Sequence, residues 1–161
     1  MTFIHDIQEG VRHGIELEET SSETCICSVV THEVTMYCNT LDDTETLHRE
    51  IPEIAQHALI GVIFSRVPLH SFAVSETTRG VLHGLVCAGL DVSYVTRSVS
   101  QGIREALSLY DRYSPEMEQA IHQGVQQALR DLGMKRLEDD QALDLPGYFV
   151  NQTATFGLAR F

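Results

Sequence analysis

The sequence predicts an all-α fold of about six helices, packed as a compact bundle or as a short solenoid. A 22-residue repeat runs four times from Glu53 to Asp140. Within each unit, small and apolar residues recur at i, i+3, i+4, i+7, i+8 and i+11, the spacing of one helix face. Residues typical of helix ends stand at or near the joints: Pro68, Gly89, Pro115 and Gly133. Each unit is therefore predicted to be one helix with its turn, which needs its neighbours to bury its apolar face.

Residues 1–52 are predicted to form the N-terminal helices. A shorter copy of the stripe predicts a first helix from Phe3 to about Glu18, with Thr2 as its N-cap. Thr20–Glu23 reads as a capping box for the next helix. The β-branched residues of Cys25–Cys38 favour a strand, but their apolar residues also follow one helical stripe. Because a lone strand would leave its backbone groups unpaired, we predict a helix there.

Cap signals predict where the later helices begin and end. Asp42 with Glu45 is a plausible cap, and Pro52 is expected in the first turn of the following helix, which should stop near Arg66. The last three helices are expected to have the N-caps Ser75, Asp91 and Ser114. Two of these helices are expected to end at glycines, Gly89 and Gly133.

Residues 1–140 are therefore expected to form a single helical domain, with the four repeats in 53–140. The tail, residues 141–161, has little helical pattern but four aromatic residues: Tyr148, Phe149, Phe156 and Phe161. So much apolar surface is expected to dock on the protein's own helices as a terminal cap, on another copy of the chain, or on a different partner.

Small residues stand four apart in the stripes: Gly10 and Gly14, Gly80 and Gly84, Gly102 and Ala106, Gly124 and Ala128. Each glycine inside a helix costs about 0.5–1 kcal/mol relative to alanine, so its repeated use predicts a close approach of two helices. Two interpretations stay open. This glycine-zipper face packs inside the chain's own core, or it mediates self-assembly or lies on another apolar surface.

The stripes resemble those of a group of uncharacterised bacterial helical proteins built on Gly-Val-x-x-Gly-Leu-type repeats, here Gly10–Ile15, Gly80–Leu85, Gly102–Leu107 and Gly124–Leu129. No activity comes with that resemblance. Composition and amphipathic repetition also make the chain similar to the phasins, acidic helical proteins that coat polyhydroxyalkanoate granules, although interior glycines depart from the phasin pattern. Neither resemblance implies catalytic residues.

Charge and composition narrow the possible partners. A net charge of −12 opposes binding to nucleic acid or to anionic lipid headgroups. The most apolar run, Ala58–Phe64, is too short to span a bilayer, and the N-terminus lacks the pattern of a signal peptide. The four cysteines are therefore expected as reduced thiols in a cytoplasmic protein.

The cysteines and histidines are the basis of one alternative prediction, a metal or haem site. Cys25, Cys27, His32 and Cys38 are a candidate soft-metal site for zinc or copper, although Cys25 and Cys27 would point in nearly opposite directions on a helix. His83 and Cys87 share a helix face and are a second candidate pair, and several histidines could serve a haem. The other interpretation is that the cysteines are small buried apolar residues, with no cofactor.

No catalytic motif occurs in the sequence, neither a phosphate-binding glycine loop nor a nucleophile elbow nor a His-Glu-x-x-His. The sequence therefore favours a non-catalytic, self-associating helical protein. Such a protein would act as a scaffold, a surface coat or a subunit of a larger assembly, as a homo-oligomer or within a complex. The alternative is a metal- or haem-binding helical protein that uses the cysteines and histidines.

Overall fold

The computed structural model describes residues 3–17 and 26–133, and these form six α-helices. The helices are α1 His5–Leu17, α2 Ile26–Cys38, α3 Thr44–Ile63, α4 Ser71–Cys87, α5 Val92–Leu109 and α6 Pro115–Asp131. No strand occurs in these described residues, so the predicted all-α fold is confirmed, and the ambiguous stretch is helical. The predictions for Thr2, Thr20–Glu23, Cys25 and residues 141–161 lie outside the described ranges.

Within the compact unit Met1–Ala128, the helices pack in two rows. The first row holds α1, α3 and α5, because α3 makes its two largest contacts with α5 and α1. In the second row α2 packs mainly on α4, and α6 approaches α4 where Gly124 meets Ser75. The first four helices thus each lie against the helix two places further along the chain.

Helix α2 runs parallel to α4, and α1, α3 and α5 run parallel to one another, with Phe64 meeting Tyr110 just beyond the ends of α3 and α5. Thr31 and Thr35 of α2 meet Gly80 and Gly84 of α4 in the same order. In the first row, Gln8 of α1 lies against Gly61, and the carbonyl of Glu16 accepts a hydrogen bond from Arg66, just beyond α3. The C-terminal ends of α1, α3 and α5 therefore lie at one end of the bundle, which we call the C-end of the first row.

The predicted stripe forms much of the core. The seventh residues of the four repeats are Leu59, Val81, Ile103 and Val125, and all four are buried. Burial of such side chains contributes about 1.5–3 kcal/mol each. The glycines of α3, α4, α5 and α6 face the helix two places earlier in the chain, whereas Gly10 and Gly14 of α1 face the adjacent helix α2.

Several helix ends follow the cap signals. Asp91 caps α5 by accepting a hydrogen bond from the Ser93 amide, and α6 begins at Pro115 after Ser114, as predicted. Gly89 follows the C-cap of α4 with φ 98°, and Gly133 follows the end of α6 with φ 73°, as expected for glycines that terminate helices.

The predicted position of Pro52 is wrong. Pro52 lies inside α3, which begins at Thr44 with Asp43 as its N-cap. Burial of Leu47 and Ile51 before the proline stabilises these first turns, although Pro52 cannot supply the helix hydrogen bond. The same helix ends at Ile63 with Phe64 as its C-cap, two residues before Arg66, which is close to the predicted end.

Ser75 is not an N-cap either. The cap of α4 is His70, whose Nδ1 accepts a hydrogen bond from the amide of Phe72 at 3.3 Å. Ser75 lies one turn into α4, and its carbonyl oxygen faces Gly124 of α6. Histidine is a rare N-cap, whereas serine is a common one, so local propensity pointed to the wrong residue.

Candidate functional site

The small residues of the stripes lie at crossings between helices of the same chain. A Cβ atom added to Gly84 would lie 2.7 Å from Cβ of Val34 and 3.0 Å from the carbonyl oxygen of Thr31. Added to Gly80, it would lie 2.8 Å from the carbonyl oxygen of Cys27. Real Cβ atoms essentially never come within 3.0 Å of a backbone atom, so α2 and α4 touch backbone to backbone.

The glycines of the other pairs also lie against a second helix of the same chain. Gly10 and Gly14 face Glu33 and Val29 of α2. Gly102 of α5 faces the carbonyl oxygen of Pro52 in α3. A Cβ on Gly124 would lie 2.5 Å from the Ser75 oxygen, and Ala106 and Ala128 are fully buried.

Gly61 marks a crossing that the sequence analysis missed. A Cβ at this position would lie 2.5 Å from the carbonyl oxygen of Gln8 and 2.9 Å from Cβ of Val11, so α1 meets α3 there. The alignment of repeats placed Ala58 in the small position of this helix, and Ala58 is itself buried. Gly61 is three residues after Ala58 and therefore lies on the same helix face. This spacing was the signal in the sequence that could have identified Gly61 as a crossing point.

An open groove runs along the α2–α4 crossing. Its volume is about 540 Å³, and it is lined by Cys27, Ser28, Thr31, His32, Thr35 and His83. The threonine hydroxyls of the groove donate hydrogen bonds to backbone carbonyl oxygens. The hydroxyl of Thr31 lies 2.7 Å from the carbonyl oxygen of Cys27 and 3.3 Å from that of Gly80. The groove thus brings two sequence candidates, Cys27 and His32, to the same place as His83.

The remaining metal candidates do not join that groove. Cys38 is buried at the end of α2, and burial, with a smaller effect of Glu50, raises the pKa of its thiol to about 11. Cys87 is exposed and does not line the groove. Across residues 3–17 and 26–133, no group of three or more His, Cys, Asp or Glu residues is arranged to hold a metal ion.

A hydrogen bond beside Cys38 connects α2 to α3. The hydroxyl of Tyr37 donates to Glu50 at 2.7 Å. Burial and this bond raise the pKa of Tyr37 well above its ordinary value, so the hydroxyl stays protonated and keeps donating. Cys38, next to a bonded pair and with a raised pKa, is suited to packing and not to nucleophilic chemistry.

A second surface lies at the C-end of the first row. We define the apolar patch as Phe64, Leu109, Tyr110 and Tyr113. The rings of Phe64 and Tyr110 meet edge to face with centroids 5.5 Å apart. Phe64 is 48% exposed, Leu109 63% and Tyr113 46%, which are high exposures for large apolar side chains at one end of the first row.

Hydrogen bonds from Arg104 and Tyr113 to the carboxylate of Glu118 fix the chain at the patch. The guanidinium of Arg104 donates twice to the carboxylate of Glu118, both at 2.7 Å, and so clamps α6 to α5. The hydroxyl of Tyr113 donates to the same carboxylate at 2.8 Å, which positions the ring. These donors, Arg104 above all, hold the pKa of Glu118 below its ordinary value despite partial burial.

Among the described helices, none combines the length and the apolar character needed to cross a bilayer. Comparison with known protein families, curated proteins and solved structures finds no match to this chain. The resemblance to glycine-striped bacterial proteins and to phasins therefore stays a prediction.

Proposed function

We propose that this protein is a non-catalytic, self-associating helical scaffold, and that its apolar patch is the contact surface. One observation carries the proposal: the rings of Phe64 and Tyr110 meet edge to face, and Phe64, Leu109 and Tyr113 are all exposed. Soluble proteins tend to keep such surfaces for contacts with other molecules. A scaffold or subunit of a larger assembly needs such a surface and no catalytic group.

The packing of the glycines supports this choice of surface. The small-residue faces at Gly14, Gly61, Gly80, Gly84 and Gly124 already have partners inside the chain. A glycine zipper between copies would require these helices to separate first, which would expose the core stripe. Self-association at the apolar patch leaves the fold intact.

The side chains of the patch are of the kind that contribute most of the binding energy at an interface. Large aromatic side chains bury on the order of 150–250 Å² each and are enriched among the residues that dominate interface energetics. Three such aromatic side chains and Leu109 on each of two copies would form the apolar centre of an interface of about 1,600 Å² in total. Ion pairs and polar groups around them would form the rim.

Light scattering on purified protein tests the proposal. The full chain should have a mass above that of a monomer at micromolar concentration. The double variant Phe64→Ser, Leu109→Ser should return it to the monomer mass while keeping its helical circular dichroism. Tyr94→Ser is the matched control, because Tyr94 is 78% exposed and lies at the opposite end of α5. A monomeric wild type, or equal masses for all three proteins, would contradict the proposal.

A second candidate function is the binding of a soft metal ion or a haem at the groove. The observation in its favour is that Cys27, His32 and His83 line one open groove from two different helices. The thiolate of Cys27 together with the imidazole of His32 or His83 would suit copper(I) or zinc. Either histidine alone could bind haem iron. The scaffold proposal expects no stoichiometric metal.

Elemental analysis and an absorption spectrum separate the two. Bound copper, zinc or haem at one equivalent, lost in Cys27→Ala or His83→Ala and kept in Cys87→Ala, would support the groove. Cys87 is a fair control, since it is an exposed thiol on α4 that does not line the groove.

A further inference from the structure

Exposed charged residues of both signs lie close in the chain to the residues of the apolar patch. Arg112, Asp111 and Glu116 are exposed and lie within seven residues of Leu109, and exposed Arg66 follows Phe64. None of the four forms a side-chain ion pair within the described residues, in contrast to Arg104 with Glu118. Asp111, Arg112 and Glu116 therefore remain available to another molecule, whereas Arg66 already donates a hydrogen bond to the carbonyl oxygen of Glu16.

The sign balance of this border differs from that of the whole chain. The protein carries a net charge of −12, so two copies repel each other when acidic surfaces approach. Near the patch, the charges of Arg66 and Arg112 offset those of Asp111 and Glu116. A surface with both signs can be complementary to itself, which is the condition for a two-fold contact.

We propose that the apolar patch meets the same patch of a second copy through a two-fold contact, in which Arg112 of each copy pairs with Glu116 of the other. The inference rests on the proposed self-association and names its partner and geometry. Arg112 and Glu116 lie on either side of the Ser114 cap and form no pair with each other within one chain. In a two-fold contact each pair occurs twice, so one substitution changes two ion pairs.

The local backbone keeps these two charges in defined positions. The amide of Arg112 donates to the carbonyl oxygen of Leu107 at 2.7 Å, and this bond closes the C-terminus of α5. Glu116 lies in the first turn of α6, which begins immediately after the connection. Little chain has to be ordered when a partner arrives, which keeps the entropic cost of association low.

A charge-swap experiment tests the arrangement by sedimentation equilibrium. Arg112→Glu alone and Glu116→Arg alone should each weaken self-association by roughly tenfold or more, because each places like charges opposite one another twice. An equimolar mixture of the two variants should restore association to about the wild-type level, since both pairs become complementary in the mixed dimer. Arg97→Glu makes the same charge change at an exposed site on α5 outside the patch and should stay close to wild type.

The outcomes separate this inference from the proposed function. If both single variants associate like wild type while Phe64→Ser, Leu109→Ser does not, the ion pair is wrong and the patch proposal stands. If each single variant is weakened and the mixture is not restored, the two-fold arrangement is wrong. A wild type that is monomeric would overturn both, and circular dichroism of each variant would establish that it is folded.

Discussion

The hydroxyl of Thr35 lies 3.4 Å from the carbonyl oxygen of Gly84, across the crossing of α2 and α4. The same hydroxyl donates to the Thr31 carbonyl of its own helix at 2.7 Å, and Thr31 repeats the arrangement one turn earlier with Gly80. Such cross-helix contacts require backbones to approach closely, which only glycine permits at those two positions. The crossing therefore explains why a helix interior tolerates two residues of low helix propensity.

Gly84→Leu should be strongly destabilising. The new side chain would start 2.7 Å from Cβ of Val34, so α2 and α4 would have to separate, at a cost of roughly 1–3 kcal/mol or more. Thermal unfolding followed by circular dichroism measures the effect. Cys87→Leu, an exposed position on the same helix, is the control and should unfold close to wild type. Equal melting temperatures for the two variants would show that the crossing is not tightly packed.

The sequence predicted what local periodicity and cap chemistry determine. Leu59, Val81 and Ile103 were placed on one stripe by spacing alone, and all three are fully buried. The positions of Pro52 and Ser75 were predicted wrongly, because tertiary burial around them outweighs their local preferences. A period of 22 residues describes one helix with its loop and does not say which helix it packs against.

The candidate surfaces were harder to predict. Cys27 and His83 are 56 positions apart, and only the parallel packing of α2 on α4 places both at one groove. Phe64 and Tyr110 likewise meet because α3 and α5 are neighbours in the first row. Distances of this kind depend on tertiary packing, for which a helical stripe carries no direct signal.

His57 should make the stability depend on pH. Its Nδ1 lies 3.1 Å from Oε1 of Gln8, and burial, with a smaller effect of His5, lowers its pKa below the ordinary value of 6.5, against an opposing effect of Glu53. The folded state therefore binds fewer protons than the unfolded state. The stabilisation is complete above about pH 6.5 and is lost as the pH falls through that value toward the folded-state pKa.

The variant His57→Gln should accordingly show a smaller drop in Tm between pH 7.5 and pH 5.5 than wild type. Thermal unfolding at the two pH values measures this difference. His13→Gln removes an exposed imidazole from α1 and is the control for the loss of one histidine. If His57→Gln keeps the full drop in Tm, acid sensitivity arises elsewhere in the chain.

Gln126→Leu should be neutral or stabilising. Both amide atoms of Gln126 are buried and have no hydrogen-bond partner, as far as the described chain extends. A buried amide without a partner costs about 1–3 kcal/mol, so an apolar replacement of similar size recovers part of that cost. Chemical denaturation would measure the change, with Gln123→Leu as an exposed control on α6. A loss of more than about 1 kcal/mol would mean that the amide is bonded after all.

Asp111→Gly should stabilise the protein, whereas Asp111→Ala should destabilise it. Asp111 follows the C-cap of α5 with φ 57°, the conformation that glycine adopts at the ends of α4 and α6. Side chains with a Cβ atom pay about 1 kcal/mol for this conformation, and aspartate pays less than alanine because its carboxylate can bond locally. Both substitutions remove the same charge, so the difference between them isolates the backbone effect. Thermal unfolding should place Gly above wild type by up to about 1 kcal/mol and Ala below it. The reverse order would mean that the Asp111 carboxylate stabilises the connection between α5 and α6 more than its backbone conformation costs.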